Sequence, residues 1–100
     1  MSFGLEDGQF AILNNLLIQP LKKANYSLWV FGSRARGDHH PYSDIDILYS
    51  SNHEKRNPTL IGDIEERLQD SNLTIKVDLV QLEDLAASYK ESVFKDRIPL

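Results

Sequence analysis

The segment that most constrains this chain is WVFGSRARGDHHPYSDIDILYS, residues 29–50. Runs of β-branched and aromatic residues predict two strands, YSLWVF (26–31) and DIDILYS (44–50). Between them, Gly32 closes the first strand, and the polar residues from Ser33 to Ser43 predict a short helical turn followed by a loop. Strand side chains alternate faces, so Asp44 and Asp46 point one way while Ile45 and Ile47 point the other. Aspartate is depleted in strands, and two carboxylates on one face repel each other. Such a pair raises its own pKa values or recruits a cation. Magnesium suits it, taking hard oxygen ligands and completing its shell with water and substrate phosphates.

The rest of the chain supplies the scaffold. Phe10, Leu13, Leu16, Leu17 and Leu21 recur at spacings of three and four, predicting a helix over residues 7–24 with Asp7 as its cap. Pro20 is expected to kink or end it. Residues 51–58 read as a surface loop. Thr59 is expected to cap a helix that carries Leu60, Ile61, Ile64 and Leu68 on its apolar face. LTIKVDLV (73–80) predicts a third strand, and Leu82, Leu85, Ala86, Tyr89 and Val93 a last helix. The order helix, strand, strand, helix, strand, helix defines an α/β or α+β fold, a small mixed sheet packed with helices. One hundred residues are expected to form one domain over 1–100.

Composition narrows the function classes. A net charge of −4 argues against direct nucleic-acid binding or attachment to an anionic membrane. It leaves room for one nucleotide, which a metal ion and a few arginines can hold. Without cysteine there is no disulfide framework, thiol nucleophile or thiolate metal site. No run reaches membrane-span length and the first residues lack the pattern of a signal peptide, so a cytoplasmic address is expected.

A bare Asp-x-Asp is most often an innocent turn, but two neighbours change the weighting. Gly32-Ser33 lies where a missing side chain lets backbone N–H groups approach a phosphate at the start of a helical turn. Asp78 interrupts an otherwise apolar strand. Gly32-Ser33, ten residues, then Asp44-Ile45-Asp46 resembles the signature of the DNA polymerase β-like nucleotidyltransferases. The longer run FGSRARGDHHPYSDIDIL resembles their minimal branch, the MNT proteins paired with HEPN-domain proteins in toxin–antitoxin modules.

The resemblance implies roles residue by residue. Asp44, Asp46 and Asp78 would be the catalytic carboxylates and the ligands of two magnesium ions, with Asp78 also helping to deprotonate the acceptor hydroxyl. Gly32 and Ser33 would hold the terminal phosphates of ATP. Arg34 and Arg36 are both candidates for neutralising them; positions two apart on a helical turn diverge, and Arg36 is favoured. His39 and His40 read as solvent-exposed bystanders, Trp29 as core, and Tyr42 as a residue able to stack on a base. The expected activity is transfer of AMP to a tyrosine of a HEPN ribonuclease toxin, making the chain an antitoxin. A chain this short is expected to offer no acceptor pocket of its own, which favours a protein acceptor. The alternatives are a catalytically weak module that inhibits its partner by occlusion, and transfer to a small molecule or an RNA end.

Overall fold

The computed structural model describes residues 3–51 and 58–100. The expected loop over 51–58 falls almost wholly outside them. Ser51 ends a strand and Pro58 begins a helix.

The first helical region runs as α1 (Asp7–Leu13), a π-helical turn (Asn14–Ile18) and α2 (Gln19–Lys23). Leu13, Leu17 and Leu21, four apart, are fully buried along one stripe. Pro20 does not end the helix. The wide turn before it moves the ladder by one residue, so that the Gln19 N–H reaches the Asn14 carbonyl. The missing N–H of Pro20 then falls in the first turn of α2, where it has no helical partner to lose. Asp7 lies inside the first turn rather than at the cap, which is Glu6. Asn25, with φ 64°, reverses the chain into β1.

Four strands, β1 (Tyr26–Phe31), β2 (Ile45–Ser51), β3 (Val77–Gln81) and β4 (Ile98–Pro99), form one sheet in the order β3-β2-β1-β4. β1 runs antiparallel to β2 and β4, and β2 runs parallel to β3, so the sheet is mixed. Between β1 and β2 lies α3 (Ser33–Arg36); between β2 and β3 lies α4 (Pro58–Gln69), within which Thr59 is an ordinary first-turn residue. β3 begins later than the sequence suggests. The Gln9 side chain accepts from the Thr74 N–H (2.8 Å) and donates to the Asn72 carbonyl (3.2 Å), so a helix side chain satisfies backbone that a strand partner would otherwise hold. The last helix also starts late. Leu82–Asp84 forms a 3-10 turn, Leu85 and Ala86 are extended, and α5 spans Ala87–Asp96. Two-residue β4 is too short to leave a periodic signal in sequence, and its Pro99 occupies the sheet edge, where no N–H is required.

One sheet face carries Tyr26, Leu28 and Val30 of β1 with Ile45 and Ile47 of β2. It packs with Leu13, Leu17, Ile18 and Leu21 of the first helical region and Ile64 and Leu68 of α4. The other face presents Trp29, Phe31, Asp46, Leu48, Asp78 and Val80. Leu48 and Val93 of α5 are buried outside the main cluster. Trp29 is not part of that cluster either: it is half-buried beneath the Arg97 guanidinium, 4.6 Å from its ring centroid, while Phe94 lies 4.2 Å from the same group. This stack fastens the end of α5 to β1.

Candidate active site

Strand pairing assembles the acidic centre. Antiparallel β1–β2 sets Phe31 opposite Asp46, and parallel β2–β3 sets Asp46 beside Asp78. The two carboxylates therefore share one sheet face, and the charge of Asp78 acts on Asp46. Asp44 lies one residue before β2, exposed, and its charge is felt at Asp46. Burial, then Asp78, then Asp44 push the Asp46 carboxyl above its ordinary value of 3.8, and only Arg36 pulls it down. Since the folded pKa lies above the unfolded one, the native state holds this proton more tightly. Stability falls as pH rises from about 4 through the raised pKa, and the deficit then persists.

Gly32 is required twice. Its φ of 76° and ψ of −156° lie in a region essentially closed to other residues, and a Cβ there would overlap the Asp46 Oδ2 oxygen. The backbone bend thus lies directly against the half-buried carboxylate. From it, α3 turns away with the Ala35 and Arg36 N–H groups donating to the Gly32 carbonyl, both at 3.1 Å. The N–H groups at the start of this turn precede its first helical bond.

The two arginines have separate roles. Arg34 is 3% exposed, the one charged residue buried among the described residues. Its guanidinium donates to the carbonyls of Ser43 (2.9 and 3.0 Å), Phe3 (2.9 Å) and Pro41 (3.2 Å). It ties the 37–44 loop to the N-terminal segment and is unavailable to a ligand. Arg36 is exposed, bridging Asp38 at 3.2 Å and Asp96 of α5 at 3.1 Å, and its charge reaches Asp46.

The histidines divide as well. His40 is exposed, whereas the His39 ring packs against Gly4 and has a buried Nδ1 without a partner among the described residues. His39 is therefore part of the packing of the N-terminal segment rather than a bystander. Tyr42 projects 87% exposed from the turn that Arg34 holds. Lys76, missed in sequence, places Nζ 3.4 Å from Asp78 Oδ1. Its position two residues before Asp78, on the same face, was the available signal.

No three His, Cys, Asp or Glu side chains among the described residues close into a metal cage. What the fold provides is an open-sided pair of carboxylates with a third at the rim. That donor set fits magnesium, which leaves much of its shell to water and phosphate oxygens.

This arrangement, a glycine bend against one of two paired carboxylates, is the frame of a nucleotidyl-transfer enzyme. The family model "Polymerase beta, Nucleotidyltransferase" matches residues 17–100, and the chain belongs to that family. It is 29% identical over 92 residues to the probable protein adenylyltransferase MntA of Haemophilus influenzae, covering 91% of this chain and 77% of that protein. A solved structure described as a minimal nucleotidyltransferase is 29% identical with a TM-score of 0.66, covering 93% of this chain and 89% of the other. The MNT antitoxin complex with a tri-AMPylated HEPN toxin of Shewanella oneidensis gives 22% identity and a TM-score of 0.58, covering 91% and 70%, a likeness of fold. No helix among the described residues is long and apolar enough to cross a membrane.

Proposed function

We propose that this chain is a magnesium-dependent protein adenylyltransferase. In this reading it moves AMP from ATP to a tyrosine hydroxyl of a HEPN-domain toxin and so acts as its antitoxin. The observation that carries the chemistry is Asp46 beside Asp78 on one sheet face, with Gly32 against Asp46. The similarity to MntA, a probable protein adenylyltransferase, supports a protein acceptor. The AMPylated toxin in complex with an MNT antitoxin of like fold supports the kind of partner.

Asp44, Asp46 and Asp78 would hold two magnesium ions, which supply charge stabilisation at the attacking and leaving oxygens of an in-line displacement. The chain's own groups do the rest. The backbone at Gly32 and Ser33 seats the terminal phosphates, and Arg36 turns from Asp38 towards them to balance their charge. Asp78 accepts the proton of the attacking hydroxyl as the new P–O bond forms at the α-phosphorus and pyrophosphate departs. The raised pKa of Asp46 is a ground-state feature that a divalent cation relieves.

The test is incubation of the wild-type chain with its copurifying HEPN-domain partner, ATP and magnesium, read by mass spectrometry. One or more AMP additions on partner tyrosine are expected. The Asp44→Asn, Asp46→Asn variant should bind the partner and leave it unmodified. A partner silenced with no added mass would sink the enzymatic reading in favour of occlusion.

A further inference from the structure

Among the described residues β3 is an outer strand of the sheet, and the side of Val77 and Leu79 turned away from β2 leads to the carboxylates. The Ile45 N–H donates to the Lys76 carbonyl at 3.0 Å. In a parallel ladder, alternate residues turn their main-chain groups to the same side. Lys76, Asp78 and Val80 therefore face β2 with their backbone, while Val77 and Leu79 direct theirs outward. Along this edge runs a groove of 690 Å³ that wraps from Phe31, Asp46 and Asp78 on one face to Glu65 and Gln69 of α4 on the other.

We propose that this edge is where the acceptor protein docks, as an extended segment that pairs with Val77 and Leu79 as a fifth strand. The inference rests on the adenylyltransferase reading and adds how the hydroxyl is delivered. A residue paired with Asp78 must point its side chain onto the same face as Asp78, because side chains on paired strands share faces. That is the face on which Asp46 and Asp78 meet. Backbone pairing thus fixes the register, and the register aims the hydroxyl at the group that takes its proton. Charge selects the occupant. Asp46, Glu65 and Asp78 line the groove, and Lys76, the one cation of its lining, is already paired with Asp78. The segment that fits is one whose hydroxyl residue is flanked by lysine or arginine.

Amide hydrogen exchange on the wild-type complex with the HEPN-domain partner tests the docking directly, whether or not transfer occurs. The amides of Val77 and Leu79 should exchange at least about tenfold more slowly in the complex than in the free chain. Val77→Pro removes one outward N–H at the first residue of the strand and leaves the β2 ladder intact. It should raise KM for the partner about tenfold while KM for ATP stays unchanged. A complex that modifies its partner yet leaves both amides unprotected overturns the docking and spares the enzyme. Protected amides with no AMP transferred keep the docking and refute the enzyme. Protection that grows with the concentration of the free chain assigns the edge to a second copy and overturns the proposal.

Discussion

Gly32→Ala is the most informative single substitution, because the structure separates its two costs. The first is conformational: at φ 76° and ψ −156° an L-residue is strained by about 1–3 kcal/mol. The second is steric and local to the chemistry. The new methyl overlaps Asp46 Oδ2, so that carboxylate must retreat by about 1 Å to regain ordinary contact. A shift of that size at a reacting centre costs on the order of 100-fold in rate. With a strain of about 2 kcal/mol and ~4–8 °C per kcal/mol for a domain of this size, Tm should fall by roughly 10 °C. Differential scanning fluorimetry reads the first cost, and the initial rate of partner AMPylation, measured well below Tm, reads the second. Gly37→Ala is the control. It also has positive φ, at 85°, but nothing lies within 4 Å of the added methyl, so it should lower Tm and spare the rate. Equal rate losses in both variants, or full activity in Gly32→Ala, would refute the contact with Asp46 as the reason for this glycine.

Arg34→Met should destabilise by about 2–4 kcal/mol, since it strands the carbonyls of Phe3, Pro41 and Ser43. Arg36→Ala should barely move Tm but weaken ATP binding, a contrast that urea unfolding and nucleotide titration together resolve. Asp46→Asn should raise the Tm of the metal-free protein by a few degrees at neutral pH, solvent screening keeping the effect to about 1 kcal/mol or less. That gain should vanish as pH falls through the raised pKa towards 3.8, and a gain independent of pH would contradict its electrostatic origin.

What could be read from the sequence follows the range of the interactions involved. Period-2 alternation placed Asp46 on the face opposite Ile45 and Ile47, and four-residue spacing placed Leu13, Leu17 and Leu21 in the core, because both patterns are written in neighbouring residues. The sequence could not separate Arg34 from Arg36. What distinguishes them is a carbonyl 31 residues away at Phe3 and a carboxylate 60 residues away at Asp96. The start of β3 was misplaced for the same reason: Gln9, 65 residues upstream, holds Thr74. Trp29 looked like core by composition, yet its ring is covered by Arg97 from the far end of the chain. In these three cases a long-range contact overrides a local preference.

The charges around Asp46 argue most strongly that the site is shaped for something it must bind. An asparagine there would keep nearly the same shape without the repulsion. Two cations lie close, but neither pairs with Asp46: Lys76 bridges Asp78, and Arg36 bridges Asp38 and Asp96. Arg36 offsets part of the repulsion at Asp46, and the carboxyl still stands above its ordinary value. Holding two carboxylates on one face, one of them half-buried beside the Gly32 backbone, costs free energy in the free protein. A divalent cation bound there with phosphate ligands would convert that energy into affinity, because it would add positive charge beside Asp46.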